Sequence, residues 1–201
     1  MKLKKMLALT MAGLLAAGLT ACGSSAATSA APAAESTADA AGAPDGDGDP
    51  TTLTVAMECA YAPYNWTQSD DSNGAVAIRG SSDYAYGYDV MMAKKIGEAL
   101  GQQVQIVKLD WDSLIPAVMS GDVDCVIAGQ SITAERAAQV DFSNPYYYAS
   151  IVTLTKKDSA YANAASVADL AGATATSQLG TIWYDTCLPQ IENANILPAQ
   201  E

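Results

Sequence analysis

Between residues 131 and 148 the chain reads SITAERAAQVDFSNPYYY, which gathers the hydroxyls of Ser131 and Thr133, Arg136, two acids and three consecutive tyrosines behind a short apolar run. Thr133 is placed to cap a helix, and Arg136, three residues on, can turn its guanidinium back over that helix start. A guanidinium fork beside helix-start N–H groups suits a carboxylate, since two parallel charge-assisted bonds match its two oxygens. The alternative is a surface ion pair of Arg136 with Glu135 or Asp141. Gly129 lets backbone approach a ligand closely, and Gln130 and Ser131 share its strand end, with Ser131 adding a hydroxyl. Glu58 ends another strand, where it suits an amino or guanidino group or serves as a satisfied hydrogen-bond acceptor. Tyr61, Tyr64, Trp66 and Tyr88 offer flat amphipathic faces that either sandwich a ligand or fill a core. The chain has no histidine. That excludes Ser–His and Cys–His nucleophile pairs and removes the commonest nitrogen ligand of zinc. DGDGD at 45–49 opens like a calcium loop but lacks the closing Glu, and Asp70 and Asp71 read as turn residues, so neither a metal nor a cofactor is expected.

These groups must be carried to a compartment and held by a fold. Lys2, Lys4 and Lys5 precede an apolar run from Met6 to Leu19, the pattern of a secretory leader over 1–21. The run is shorter than a membrane span needs, and no later stretch matches one. Leu19-Thr20-Ala21-Cys22 resembles a bacterial lipobox, which predicts lipidation at Cys22 and anchoring to the outer face of the cell membrane. Residues 22–50 are small and polar, with no large apolar side chain, and read as a disordered tether. Removing the three leader lysines takes the net charge from -12 to about -15. Such a field repels nucleic acid, and no basic cluster survives processing, so a nucleic-acid partner is excluded. Setting Cys22 aside leaves Cys59, Cys125 and Cys187, among which at most one disulfide can form. Cys125 lies in an apolar strand pattern and suits a core.

The pattern that positions the candidates is α/β. TLTVAME at 52–58 alternates as a strand, and YDVMMAKKIGEAL at 88–100 has helical spacing with Asp89 as expected N-cap and Gly101 beyond its end. VQIVKL at 104–109 predicts a second strand, DSLIPAVMSG a helix capped by Asp112 with Pro116 in its first turn, and VDCVIAG at 123–129 a third strand. A helix then opens at Thr133. Strands and helices in alternation predict a parallel sheet covered on both faces, whose strand ends open on one crevice. SIVTLTKK at 150–157 reads as a further strand. The pattern then restarts with a helix at 166–170, a strand at 173–176, a helix from Thr181 and apolar Ile196 and Leu197, which predicts a second lobe. The insert between Trp66 and Gly87 reads as a hairpin on the rim.

YAPYNW at 61–66, GYDVMMAKKIGEALG at 87–101, the run from Trp111 to Tyr148 and ATSQLGTIWYD at 175–185 together resemble the extracellular solute-binding proteins of polar amino acid ABC transporters. The resemblance implies a type II periplasmic-binding-protein-like fold, two α/β lobes joined by a hinge: a first lobe over 51–149, a hinge-crossing strand at 150–157 and a second lobe, incomplete, over 158–201. It implies Arg136 on the α-carboxylate of an amino acid ligand with Ser131, Gln130 and the backbone around Gly129. Tyr61 and Tyr88 would flank the side chain, Glu58 would sit at its far end, and Gly180 and Thr181 would donate from the second lobe. Ile182 stands where a second threonine is frequent in the family. The late acid that holds the α-amino group has no counterpart here, so the 201 residues are expected to be a fragment. The implied protein is a non-enzymatic, monomeric receptor that presents its ligand to ABC permease subunits. A dehydratase on the same fold, similar to cyclohexadienyl dehydratase, and a sensory module are the alternatives.

Overall fold

The structure is a computed structural model and describes residues 50–200. The expected leader, Cys22, DGDGD and all but the last residue of the tether lie outside the described residues. Among the described residues no helix is long and apolar enough to cross a membrane.

Strand β1 (Thr52–Met57) runs into a rim built from β2 (Ala60–Tyr61), β3 (Asn65–Gln68), β4 (Val76–Ala77) and β5 (Tyr84–Tyr86), an antiparallel sheet ordered β2-β3-β5-β4. The expected hairpin of the insert is thus β4 paired with β5, and β5 is paired in turn with β3. Helix α1 (Tyr88–Leu100) leads to β6 (Gln103–Lys108), and helix α2 (Leu114–Ser120) leads to β7 (Cys125–Val126). These strands flank β1 in a parallel sheet ordered β6-β1-β7. Five consecutive residues of β1, Leu53 to Met57, are buried without alternation, which happens only where both faces of a strand are covered. Met57, Ile106 and Leu114 are fully buried in the resulting core, each contributing roughly 1.5–3 kcal/mol by leaving water.

Two helix starts differ from expectation. Gly87, not Asp89, is the N-cap of α1, because the chain there passes so close to Tyr64 that a Cβ on residue 87 would lie 2.2 Å from the Tyr64 carbonyl oxygen. Asp89 falls inside the first turn and is fully buried, where the helix start favours its charge. Asp112 lies in a 3-10 turn over Trp111–Ser113, and Ser113 is the N-cap of α2. Pro116 falls in the first turn, and Gly101 and Gly121 end their helices in left-handed conformation, as expected.

The third strand is shorter than its apolar run. The Asp124 carboxylate takes the Thr54 backbone N–H (2.7 Å), so a side chain replaces one rung between β1 and β7. After the short helix α3 (Ala134–Ala137), residues 150–157 form no strand, contrary to expectation. A strand exists only where a neighbour completes its ladder, and no described strand edge reaches this segment; Val152 and Leu154 are 82% and 95% exposed.

Beyond it lies a smaller unit. Val167–Leu170 is a 3-10 turn rather than the expected α-helix, with the Asp169 carboxylate bound to the backbone N–H of Ser166 at 2.8 Å and of Ala165 at 3.0 Å. Strand β8 (Thr174–Gln178) pairs in parallel with β9 (Asn195–Ala199), which turns the apolar pair Ile196 and Leu197 into a strand. Between them the helix expected from Thr181 is a π-type turn at Trp183–Cys187 followed by a 3-10 turn at Leu188–Gln190. Leu170, Ala173 and Ile191 form its small core. The described cysteines, Cys59, Cys125 and Cys187, are free thiols.

Candidate functional site

The carboxyl ends of β1, β6, β7 and β8 meet at one crevice. Glu58 follows β1 directly and is buried, and its carboxylate accepts a hydrogen bond from the Gln178 amide at the end of β8. Tyr61 on β2 stacks on Tyr64 with ring centroids 4.8 Å apart, while its ring meets Trp183 of the smaller unit at 5.8 Å. Gly129 has φ +59, a conformation that costs an L side chain energy, and a Cβ there would lie 3.4 Å from the Tyr61 ring. Tyr88 is drawn elsewhere. It stacks on Tyr146 at 6.1 Å, meets Tyr147 at 5.8 Å and donates its hydroxyl to the Tyr146 carbonyl at 3.3 Å, so it belongs to a tyrosine cluster beside the crevice.

The cationic end is built around α3. Thr133 caps that helix, its hydroxyl accepting the Arg136 backbone N–H at 3.2 Å as the sequence implies. The Arg136 side chain then folds back: Nη1 donates to the Ser131 carbonyl and Nη2 to the Gly180 carbonyl, each at 2.8 Å. Its guanidinium carbon lies 5.4 Å from the Trp111 ring centroid, a cation–π arrangement, and the Trp111 indole N–H reaches the same Gly180 oxygen at 3.0 Å. The guanidinium is thus held by carbonyls of both units rather than by an ion pair with Glu135 or Asp141. Partial burial pulls the Arg136 pKa down, opposed by the negative charges of Glu135 and Asp185. A cavity of about 410 Å³ opens here, lined by Trp111, Asp112, Gln130, Arg136, Gly180 and Thr181 among others.

Two of the expected contacts take another form. Ser131 meets Arg136 through its carbonyl, and the buried Thr181 hydroxyl turns inward, donating to the Gln178 carbonyl at 2.7 Å and accepting the Tyr184 N–H at 3.3 Å. Thr181 therefore holds the turn that carries Gly180. Three crevice residues escape the sequence reading: Trp111, Gln178 and Trp183. Trp111 and Gln178 were accessible to the same strand-end rule that found Glu58 and Ser131, applied to β6 and β8.

A parallel-sheet unit and a second, smaller α/β unit, opposed across a crevice at their strand ends, define the type II periplasmic-binding-protein class. Within it, residues 53–185 match the model of the bacterial extracellular solute-binding proteins, family 3, and the chain belongs to that family. It is 34% identical over 130 residues to the arginine-binding extracellular protein ArtP of Bacillus subtilis (strain 168), covering 65% of this chain and 45% of that protein. Among solved structures, the ancestral amino acid-binding protein AncCDT-1, a precursor of cyclohexadienyl dehydratase, aligns with a TM-score of 0.62 and 33% identity, over 75% of this chain and 62% of that one. The arginine-bound form of truncated ArgBP from T. maritima aligns with a TM-score of 0.62 and 30% identity, over 75% of this chain and 65% of that one. The chain spans about half the length of the curated relatives it matches.

Proposed function

We propose that this chain is the amino-acid-binding part of an ABC importer, holding a polar amino acid between its two α/β units and presenting it to permease subunits in the membrane. The observation that carries the reading is the setting of Arg136: its guanidinium lies on the cavity wall, over Trp111, and bonds a carbonyl from each unit. A guanidinium has five N–H donors, and Ser131 and Gly180 engage two of them, so an incoming α-carboxylate meets further donors and a charge in a partly dehydrated site. Gly129, Gln130 and Ser131 lie on the same strand-end loop, and Gly180 and Thr181 close from the opposite unit.

The side chain of the ligand runs toward Glu58, Tyr61 and Trp183. A buried carboxylate three residues before Tyr61, whose ring meets Trp183, favours a flat or extended cation over a neutral chain. The arginine-bound T. maritima neighbour and the arginine-binding B. subtilis relative accord with that choice. The receptor works by closing over its ligand without converting it, as a monomer tethered through residues 22–50 to a lipidated Cys22 on the outer face of the cell membrane.

A thermal-shift panel of the twenty amino acids on the full-length protein tests the reading, since a ligand that binds only the folded state raises its melting temperature. L-arginine should give one of the largest shifts and be recovered unchanged after prolonged incubation, and Arg136→Ala should abolish the shift. No shift with any amino acid would sink the proposal.

A further inference from the structure

Two kinks carry the recognition groups into the crevice. Cys59, next to Glu58, has φ +57, and Gly129, at the head of the loop that leads to Arg136, has φ +59. Each kink exposes a backbone N–H that needs an acceptor. The Cys59 N–H donates to Asn65 Oδ1 at 2.8 Å, and Asn65 Nδ2 donates to Asp89 Oδ2 at 2.7 Å. The Gly129 N–H donates to the Tyr146 hydroxyl at 3.2 Å, and that hydroxyl donates to Asp89 Oδ1 at 3.0 Å. The two kinks are therefore joined through the two oxygens of one carboxylate. Asp89 and Asn65 are both fully buried.

Resting on the amino-acid-binding reading above, we infer that Asp89 is a positioning residue: through Asn65 and Tyr146 it fixes the spacing between the Glu58 end and the Arg136 end of the ligand site. The chemistry of the groups fixes the polarity of the chain. An ionised carboxylate only accepts, so the Tyr146 proton points to Asp89 and its lone pairs are left for the Gly129 N–H; likewise Asn65 must turn its NH₂ to Asp89 and its oxygen to Cys59. Reversing any one bond unmakes the next. Burial pushes the Asp89 carboxyl upward, and the bonds from Asn65 and Tyr146 oppose that shift by favouring the charged form. A carboxylate held at the first turn of α1 and donated to from both sides is a rigid reference point, because each partner is satisfied only in one geometry.

The network has two arms, and they separate in experiment. Tyr146→Phe in the full-length protein cuts the Gly129 arm and leaves the Asn65 arm intact. Amide hydrogen exchange should then quicken by about tenfold or more at Gly129 with Cys59 unchanged. Affinity for L-arginine and for L-glutamine should fall together by roughly tenfold, the size of one hydrogen bond to a charged group, because the carboxylate end is common to both. Asp89→Asn, which keeps the volume, should quicken exchange at both kinks. A residue that only stabilised the fold would lower the melting temperature and leave affinity at 25 °C unchanged; that result, or unchanged exchange at Gly129, overturns the inference. If the unaltered protein binds no amino acid, it is the receptor reading that fails. Equal binding by the unaltered protein and by Tyr146→Phe instead overturns the positioning role of Asp89 and leaves the receptor reading standing.

Discussion

Glu58 shows how a single side chain acquires its role from what surrounds it. On the surface it would be one of 22 acids; buried at the end of β1 and bonded to Gln178 of the opposite unit, it is the acid that the proposed cationic ligand would meet. Glu58→Gln should weaken L-arginine binding by on the order of tenfold to a hundredfold, while L-glutamine shifts by less than about threefold, as read by titration calorimetry. Equal losses for both would mean that Glu58 shapes the crevice without selecting its ligand. Glu58, Ser131 and Arg136 stand out in the sequence by type, as an acid, a hydroxyl and a guanidinium. Trp111 does not, because an aromatic residue in an α/β pattern reads as core until its indole N–H is seen on Gly180 and Arg136 above its ring.

At the scale of the element, the start of α1 is decided by close packing rather than by capping chemistry. Asp89 is the kind of residue that caps helices, and the 88–100 periodicity placed the helix correctly, but the cap is Gly87 because its backbone lies against Tyr64. With φ +132 and no room for a Cβ, Gly87→Ala should destabilise the protein by about 2 kcal/mol or more, measured by urea unfolding. A change under about 0.5 kcal/mol would mean that the Tyr64 loop yields at little cost. The same contest between propensity and context shortens β7. The expected strand extends from Val123 to Gly129, yet the Asp124 carboxylate takes the Thr54 N–H and the ladder with β1 keeps two residues.

At the scale of the whole molecule, the segment that leads from one unit to the other is the most exposed apolar stretch among the described residues. Tyr148, Val152 and Leu154 are 83%, 82% and 95% exposed and lie within seven residues of one another. Contiguous apolar surface of that kind promotes association. The receptor, a monomer at working concentration, should therefore begin to self-associate in light scattering only at high micromolar concentration, and Val152→Ser with Leu154→Ser should suppress that association. If the doubly substituted chain associates as strongly, other surfaces are responsible.

Sequence alone determined the class of the fold, because alternating strand and helix periods with short links admit few arrangements besides a parallel sheet with its ligands at the strand ends. It also determined the Thr133 cap at the start of the helix that carries Arg136, since the two residues are three apart and their relation is local. Only tertiary structure decided the rest. Glu58 and Gln178 are 120 residues apart, Arg136 and Gly180 are 44 apart, and the three side chains that join Cys59 to Gly129, those of Asn65, Asp89 and Tyr146, come from three separate segments. No period or motif encodes which of those distant groups will share a hydrogen bond. That depends on how two sheets and their helices pack, and packing is a property of the assembled core.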